Sequence, residues 1–390
     1  MNKIEKLVQQ LCPNDVEYKK LGEVVNILDN LRNPVSKSAR EKGNIPYYGA
    51  NGTQDYVKDY IFEGVFLLMG EDGSVMNKNN SPVLHWATGK IWVNNHAHIM
   101  SEIKNIALLR FIYFYLQTVD VTSIVRGMPP KINQQNLRGI YIPIPPLPIQ
   151  QEIVTILDKF TSLEAELEAE LEARKKQYEY YRDILFDFDK EINKVEIGKF
   201  AKLYAGATPK TSIADYWENG NIPWMSSGEV NNGKIYSTDK KITELGFKKS
   251  STKLVPANTV VIALAGQGKT RGNVAITRIP LCTNQSLCSI VTNKKVNSNY
   301  LYYFLRSKYQ ELRHISSGDG NRGGLNLKMI SNYKVPVPPL SEQERIVSIL
   351  DKFDALVNDI SIGLPAEIEA RRKQYEYYRN QLLDFKPLSA

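Results

Sequence analysis

Apolar residues recur at helical spacing in a long segment near the middle of the chain. They occupy positions 153, 157, 160, 163, 167 and 171, and the series continues at 178, 181, 185 and 188. Steps of three and four residues place these side chains along one face of a continuous helix, which suits packing against a second helix. About 40 residues at 1.5 Å each predict a rod of roughly 60 Å. A segment of similar pattern, residues 336–390, could supply the second helix.

Shorter apolar runs outside these segments have the character of β-strands. The runs are GVFLLMG (64–70), KIWVNN (90–95), NTVVIALAG (258–266) and CSIVTN (288–293). Clusters of Gly, Asn, Ser and Asp separate them, as is typical of loops in a small α+β domain. An aromatic helical segment follows in each half, at 108–117 and at 299–308, and a Pro-rich extended stretch comes after it.

The two halves of the chain are copies of one another. The hexapeptide QYEYYR occurs at 177–182 and again at 374–379, and the 15-residue stretches around it agree at 11 positions. IVTILDKF and IVSILDKF, which precede them, differ only by Thr155 against Ser348. A period near 195 residues is too long for a solenoid unit. We therefore infer that a whole domain and its connector have been duplicated.

This duplication predicts an α+β fold in which two small mixed α/β domains are separated by a pair of long antiparallel helices. The predicted boundaries are 1–147 (first head), 148–189 (central helix), 190–335 (second head) and 336–390 (C-terminal helices). We expect the seam between the helices to contain Leu157, Phe160, Leu163, Leu167, Leu171, Tyr178, Tyr181, Leu350, Phe353, Tyr375 and Tyr378. The same side chains are candidates for docking a partner subunit.

The two helical segments differ in detail. Pro148 suits the first turn of the first helix, and Ser341 with Glu344 has the spacing of a capping box for the second. The first helix contains the repeats LEAE, LEAE and LEAR at 163–174. The second carries SIGLP at 361–365, where Gly363 and Pro365 should kink or break it.

Charge is distributed unevenly along the chain. Residues 1–147 carry 16 basic and 13 acidic groups, and residues 190–335 carry 22 and 9. The helical segments are acidic, with 5 basic and 11 acidic groups in 148–189. Positive charge concentrated in the two heads favours a polyanionic partner.

The apolar segments, the N-terminus and the cysteines indicate the cellular compartment of the protein. No segment reaches the ~18 consecutive apolar residues of a membrane helix, and the N-terminus lacks the apolar core of a signal peptide. Cys12, Cys282 and Cys288 have neither metal-ligand spacing nor a CxxC pair, which is typical of reduced cytosolic thiols. These features predict a cytoplasmic protein without a membrane partner.

The pattern resembles the specificity subunit of type I restriction–modification systems. The resemblance is carried by LCPNDVEYKKLGEV (11–24), by the PIPPL and PVPPL entries to ILDKF, by the LEAE repeats and by the doubled QYEYYR. It covers the whole chain in architecture and is strongest in the helical segments. It implies that each head is a target recognition domain for one half of a bipartite duplex DNA site. The antiparallel helices would then set the length of the unread spacer.

The resemblance also implies partners. Such a subunit has no catalysis of its own and docks two modification subunits, which bind S-adenosylmethionine and methylate adenine. Restriction subunits, where present, add ATP- and Mg-dependent translocation and cleavage. We therefore expect no cofactor in this chain, and we expect different half-sites because the two heads differ so much in charge.

Candidate DNA contacts lie in the loops of the heads. Asn and Gln can read adenine, and Arg and Lys can bind guanine or phosphates. The candidates are Tyr47, Asn51, Lys78, Asn95, His96, Arg126, Lys131, Lys210, Ser226, Gln267, Lys269, Arg271, Asn284, Gln285 and Arg322. The stretches NNHAH and TNQSL suggest that Asn95 and Asn284 occupy equivalent places. His96 and His98 lack a third ligand and do not predict a metal site.

Two other functions remain open from sequence. ALAGQGKT (263–270) fits a relaxed phosphate-binding loop in which Lys269 and Thr270 would serve an NTP. The RGNVAITRIP that follows offers Gly, β-branched residues and Pro rather than a helix, which weakens this interpretation. The other alternative is a coiled-coil scaffold without DNA binding. Lys269→Ala would abolish nucleotide binding only in an NTPase, and steep salt dependence of duplex affinity would exclude the scaffold.

Overall fold

A computed structural model of the chain describes residues 3–188, 192–266, 270–316, 324–359 and 361–388. The chain divides into two compact units. Unit 1 comprises Met1–Glu168 and Glu367–Ala390, and unit 2 comprises Ala169–Ala366. Each unit combines one head with part of both helical segments, so the compact units cut across the linear succession of heads and spacers.

The helices in the described part of the chain are, in order, α1 (Lys3–Leu11), α2 (Leu21–Val24), α3 (Leu109–Leu116), α4 (Gln134–Arg138), α5 (Leu147–Leu185), α6 (Ile197–Phe200), α7 (Glu244–Lys248), α8 (Ser298–Ser307), α9 (Tyr309–His314), α10 (Leu327–Asn332), α11 (Leu340–Asn358) and α12 (Leu364–Leu382). Among these, none is long and apolar enough to cross a membrane.

The strands are β1 (Tyr18–Lys20), β2 (Val25–Ile27), β3 (Lys42–Gly49), β4 (Gly52–Val57), β5 (Phe62–Gly70), β6 (Leu84–Val93), β7 (Ala97–Glu102), β8 (Tyr141–Pro143), β9 (Lys194–Glu196), β10 (Ala201–Ala205), β11 (Ile222–Met225), β12 (Lys234–Ile235), β13 (Lys240–Ile242), β14 (Val260–Ala263), β15 (Val274–Thr277), β16 (Cys282–Thr283), β17 (Leu287–Thr292) and β18 (Lys334–Pro336). The four strand-like runs of the sequence all contribute to them.

The head of unit 1 is built on a six-stranded sheet in the order β2-β7-β5-β6-β3-β4. β3 runs parallel to β6, and the other neighbours are antiparallel. The aromatic helix α3 buries Ile112 and Leu116 in one core with Leu67 and Met69 of β5. Phe66 and Leu68 of the same strand belong to a second core, so β5 is buried continuously from Phe66 to Gly70, which explains the apolar run of GVFLLMG.

The head of unit 2 repeats this construction with one interruption. Its strands form a five-stranded sheet, β10-β17-β14-β15-β12, and a three-stranded sheet, β13-β11-β16. β15 pairs with β14 as β6 pairs with β5, and β16 runs parallel to β11 as β6 does to β3. The single strand β6 thus corresponds to two strands in unit 2. Pro280 lies between them, and proline cannot donate a ladder hydrogen bond.

A buried glutamine fastens each head to its helix. Gln150 accepts a hydrogen bond from the Leu108 amide at 2.8 Å and donates to the Pro145 carbonyl at 2.7 Å. Gln343 repeats this in unit 2, accepting from the Asn297 amide at 2.8 Å and donating to the Pro338 carbonyl at 2.8 Å. Both side chains are fully buried, and their amides satisfy backbone groups that the Pro-rich stretch cannot pair within itself.

Within unit 1, α12 packs antiparallel to the first half of α5. The ring of Tyr378 stacks on Phe160 with centroids 5.5 Å apart, and Leu383 shares a buried core with Leu157 farther toward the start of α5. Arg372 forms ion pairs of 2.5 Å with both Glu164 and Glu168. The antiparallel pairing that the sequence predicted is therefore confirmed in this unit.

The same packing recurs within unit 2 between the second half of α5 and α11. Tyr178 and Tyr181 both contact the ring of Phe353, with centroids 6.3 Å and 5.6 Å apart. Tyr178 and Leu350 are buried in one core, whereas Tyr181 keeps an exposed edge. Tyr375, the counterpart of Tyr178, is likewise largely covered in unit 1.

The centre of α5 departs from the predicted apolar seam. Leu163 is exposed, and Leu167 and Leu171 are only half-buried. The ion pairs of Arg372 supply the contact between α5 and α12 beside Leu163, so apolar packing gives way to charge pairing there. The acidic LEAE repeat accounts for this change.

The two helix starts behave differently from each other. Pro148 lies in the first turn of α5, as expected. The predicted capping box at Ser341 and Glu344 is wrong, because α11 begins at Leu340 and no side chain caps it. Pro339 holds the preceding residue extended and enters the helix directly, which leaves Ser341 inside the first turn. The interruption predicted at Gly363 and Pro365 is confirmed, since α11 ends at Asn358 and α12 starts at Leu364.

Candidate nucleic-acid interface

Three loops of the unit 1 head meet at one end of its sheet. They follow β5, precede β7 and precede α4. The Glu71 amide donates to the carbonyl of His96 at 2.8 Å, and the Ile132 amide donates to the carbonyl of Glu71 at 2.9 Å. Arg126 and Lys131 exchange two backbone hydrogen bonds and close a hairpin. The fold therefore brings together His96, Arg126 and Lys131, three candidate DNA contacts from separate loops.

Unit 2 contains the same three-loop frame. The Leu264 amide donates to the carbonyl of Ser286 at 2.8 Å, and the Leu325 amide donates to the carbonyl of Leu264 at 2.8 Å. Leu264, Ser286 and Leu325 thus correspond to Glu71, His96 and Ile132. Two heads with diverged sequences hold their loops by the same backbone bonds.

This frame corrects one predicted equivalence. Asn94 accepts a hydrogen bond from the amide two residues later at 2.8 Å, and Asn284 does the same at 3.1 Å. Asn94, and not Asn95, is therefore the counterpart of Asn284, and both serve the turn. Asn95 corresponds to Gln285, and both of these side chains are exposed.

The polar surface of unit 1 combines donors and acceptors. His96 is about half exposed, and its Nδ1 contacts the carboxylate of Asp72. Lys131 pairs with Glu71 at 3.1 Å, and Arg126 is exposed at the closing pair of the hairpin. Asp72 was missed from sequence because its pairing with His96 spans 24 residues and follows no local spacing. A carboxylate in this place can accept a hydrogen bond from a cytosine amino group.

The described part of the corresponding surface of unit 2 carries the neutral side chains of Thr208 and Gln285 and, beside them, the loop of Lys210. The hydroxyl of Thr208 donates to the side-chain oxygen of Gln285. Trp224 and Trp217 donate their ring N–H groups to the carbonyls of Ala207 at 3.0 Å and Lys210 at 3.2 Å. The tryptophans fix the loop that carries Lys210, whose side chain is exposed.

The remaining candidates have different surroundings. Tyr47 is 1% exposed, and its hydroxyl accepts a hydrogen bond from the Val35 amide. It is therefore a core residue rather than a surface contact. Tyr47 lies in β3, and its burial there rules it out as a DNA contact. Ser226 is half-buried and binds Glu229 at the start of a helical turn. Asn51 and Lys78 are exposed, and Arg271 is half-buried. Gln267, Lys269 and Arg322 lie outside the described residues.

The phosphate-loop alternative lacks its helix. After β14 the described chain resumes at Thr270 with a turn, and β15 begins at Val274. In a phosphate-binding loop of this kind the Lys-Thr pair opens a helix whose N-terminus faces the phosphates. Residues 270–277 form a hairpin arm instead, which disfavours NTP binding.

A group of five polar residues lies beneath the three loops of unit 1. We call it the His98 cluster, and its members are Asp29, Arg32, Glu71, His98 and Gln134. The Arg32 guanidinium donates to the Glu71 carboxylate at 2.6 Å, and the Gln134 amide donates to Asp29 at 3.1 Å. His98 is fully buried and contacts Asp29 at 2.6 Å.

The charge of Asp29 is stabilised within this cluster. Burial by itself would raise the pKa of its carboxyl group. The hydrogen bond from His98 and the charges of His98 and Arg32 outweigh it, and the amide of Ile99 adds a further donor. The pKa of Asp29 is consequently held below its usual value, so the side chain is an ionised carboxylate.

The cluster does not suit a metal ion. Ligand atoms of Asp29, Glu71 and His98 lie within 4.8 Å of one another. Arg32 and Lys131 already form ion pairs with the Glu71 carboxylate, at 2.6 Å and 3.1 Å. Two cations at one carboxylate would repel a third, and His98 has no lone pair turned toward a ligand site because both ring nitrogens face oxygen atoms.

Two folded copies of one recognition frame, joined by antiparallel helices, define the class of protein, and the sequence comparisons agree with it. The family described as type I restriction modification DNA specificity domain matches residues 13–173 and 189–370. The chain belongs to this family, and it is a DNA-recognition subunit that is not itself catalytic.

Individual relatives extend over the full chain. A type I restriction enzyme specificity subunit of Haemophilus influenzae is 38% identical over 395 residues, covering 98% of both chains. The EcoR124I/EcoR124II specificity subunit of Escherichia coli is 34% identical and covers 99% of this chain and 97% of its own. The crystal structure of the S subunit from M. genitalium has the same fold, with a TM-score of 0.62 at 14% identity, covering 95% of this chain and 97% of that chain.

Proposed function

We propose that the heads of unit 1 and unit 2 each read one half of a bipartite, asymmetric duplex DNA site, with the long helices setting the unread spacer. The observation that carries this proposal is the duplicated three-loop frame. Its backbone bonds are the same in both heads, while the side chains at matching positions differ: exposed Asn95 and His96 in one, exposed Gln285 and half-buried Ser286 in the other. Loops of variable sequence on a constant scaffold are where recognition residues are usually carried.

The proposal includes the partners of a type I complex. Two modification subunits would dock on the helices, bring S-adenosylmethionine and methylate adenine, and restriction subunits would add ATP and Mg. Support for two equivalent docking surfaces comes from the doubled QYEYYR. Tyr180 and Tyr377 occupy the same place in the two copies and are 64% and 62% exposed. Two matching tyrosine surfaces suit two copies of one partner.

The proposal is tested by mapping methylated adenine in DNA from cells that express this chain with its modification subunit. We expect one gapped motif with two unlike halves, and we expect it to disappear when this chain is omitted. An assembled, active complex that methylates no gapped motif would contradict the proposal and favour the scaffold function.

Phosphate contacts by the exposed cations of unit 1 can be measured separately. Each neutralised phosphate contributes about 0.9 to the slope of log K against log salt. We expect Arg126→Ala and Lys78→Ala each to lower that slope by roughly this amount in the assembled complex. Lys104→Ala is the matched control, because this exposed lysine follows the far end of β7, roughly 20 Å from the loops. An unchanged slope in both test variants would remove these residues from the interface.

A further inference from the structure

The His98 cluster contacts all three recognition loops of unit 1. The Nε2 of His98 lies 2.8 Å from the carbonyl of Ile132 in the loop before α4. Arg32 donates to the carbonyl of Ala97, next to the loop that carries His96, at 2.7 Å. Glu71 is itself the first residue of the loop after β5. The side-chain bonds of the cluster therefore join the same segments as the backbone frame above it.

The counterpart positions that the structure describes in unit 2 do not carry this cluster. β10 pairs Ala205 with Cys288, and these residues stand where unit 1 has Asp29 and His98. The three-loop frame places Leu264 at the position of Glu71. Leu327 follows the capping residue of α10 as Gln134 follows that of α4. Leu264 and Cys288 belong to the apolar core of unit 2, with Leu327 packed against it.

The contrast shows that the frame itself does not require charge. Unit 2 holds its loops over an apolar core, which needs no directional bonds. Burying ions costs several kcal/mol each unless their partners are well placed, so replacing a buried charged cluster by apolar side chains is often neutral or stabilising. The retention of five polar groups beneath the unit 1 loops therefore points to a role in their geometry.

Hydrogen bonding defines the protonation of His98. Its Nε2 faces a carbonyl oxygen and must donate. Its Nδ1 lies 2.6 Å from an ionised Asp29 carboxylate, which cannot donate, and 3.7 Å from Glu71. Both ring nitrogens therefore carry protons, and the side chain is an imidazolium. Arg32 and Lys131 are the other charged groups facing the cluster, and each is bound to a carboxylate of it.

We propose that doubly protonated His98 is a positioning residue for DNA reading by unit 1, tying the loop before α4 to Asp29 and thereby fixing the hairpin of Arg126 and Lys131. Loss of one proton would turn a ring lone pair toward the carboxylate and break one of the two links. The inference rests on the proposed function and adds that DNA reading by unit 1, but not by unit 2, depends on the protonation of His98.

The test uses the assembled complex and two series of duplexes, each with base changes confined to one half of the mapped site. His98→Cys installs the residue that unit 2 carries at this position. We expect this variant to lose roughly tenfold or more of its discrimination in one half-site, because the buried Asp29 loses its partner. Discrimination in the other half-site should not change. Cys288→Ala, a truncation at the equivalent position of unit 2, should leave both unchanged.

A purely structural role is distinguished by a pH profile. In the wild-type complex, discrimination in the affected half-site should fall as the pH is raised, relative to the other half-site, because loss of a ring proton would break one of the two hydrogen bonds that His98 makes. If the ratio between the discrimination of the two half-sites in the wild-type complex were the same at all pH values, the proposal would be overturned, even if His98→Cys failed to fold. Full discrimination by a folded His98→Cys variant would overturn it as well. Absence of any sequence preference in the wild-type complex would instead count against the proposed function.

Discussion

Deleting one LEAE repeat, residues 167–170, is expected to shorten the spacer of the recognised DNA site without changing either half-site. Four residues of α-helix account for about 6 Å of length and about 40° of rotation beyond one full turn. One base pair of duplex corresponds to about 3.4 Å and roughly 35°. The rotation therefore matches one base pair and the translation nearly two, so we expect the spacer to shorten by one or two base pairs.

Because the sequence repeats, this deletion preserves the side chains that face α12. After removal of 167–170, the next repeat supplies Leu171 and Glu172 at the positions of Leu167 and Glu168. Arg372 consequently keeps two acidic partners on α5. The heads are untouched, since their loops lie before residue 147 and after residue 189.

Methylation mapping gives the result directly. Leu167→Ala is the matched control because it alters the same half-buried position at constant helix length, and it should retain the original spacer. Insertion of a further LEAE should lengthen the spacer by the same amount. An unchanged spacer in both length variants, or new bases within the half-sites, would show that α5 does not set the spacing.

The sequence predicted the helices of this protein better than its recognition surfaces, for a physical reason. The stripe that contains Leu157 and Tyr178 follows a spacing of three and four residues, and that spacing alone specifies a buried helix face. The break at Gly363 and Pro365 is equally local, because backbone restrictions act on the residues that carry them. Ser341 shows the limit of local reasoning. A residue can cap a helix only if it lies just before the first turn, and α11 already begins at Leu340, directly after the extended Pro339.

The surfaces could be predicted only in part because their partners are distant in sequence. The loops near Asn95 and Lys131 were identified as polar segments before a Pro-rich stretch or between strands. The His98 cluster was not, since Asp29 and His98 are 69 residues apart and meet only when β2 pairs with β7. Tyr47 was misplaced for the converse reason. A turn-rich sequence around it concealed a strand whose burial depends on its neighbours in the sheet.

Replacing the two exposed tyrosines of the repeated hexapeptide is expected to remove the modification subunits one at a time. Tyr180→Glu and Tyr377→Glu should each yield complexes with a single modification subunit, and the double variant should yield the chain alone. Tyrosines at the centre of an interface commonly contribute 2 kcal/mol or more, about a 30-fold change in affinity, and a buried unpaired carboxylate adds a desolvation cost. Native mass spectrometry of co-expressed material measures the stoichiometry.

The positions of Tyr180 and Tyr377 allow an effect on docking to be distinguished from an effect on folding. Tyr181 and Tyr378 stack on Phe353 and Phe160, so their loss would disturb the helix pairs themselves. Tyr180 and Tyr377 are 64% and 62% exposed and contact Tyr181 and Tyr378 edge-on, so they can be changed while the stacks on Phe353 and Phe160 stay in place. Tyr56→Glu is the control, because this tyrosine is 56% exposed on β4 of a head and should leave two modification subunits bound. Retention of both subunits by the double variant would place the docking surface elsewhere on the chain, and loss of both in each single variant would show that the two sites are not independent.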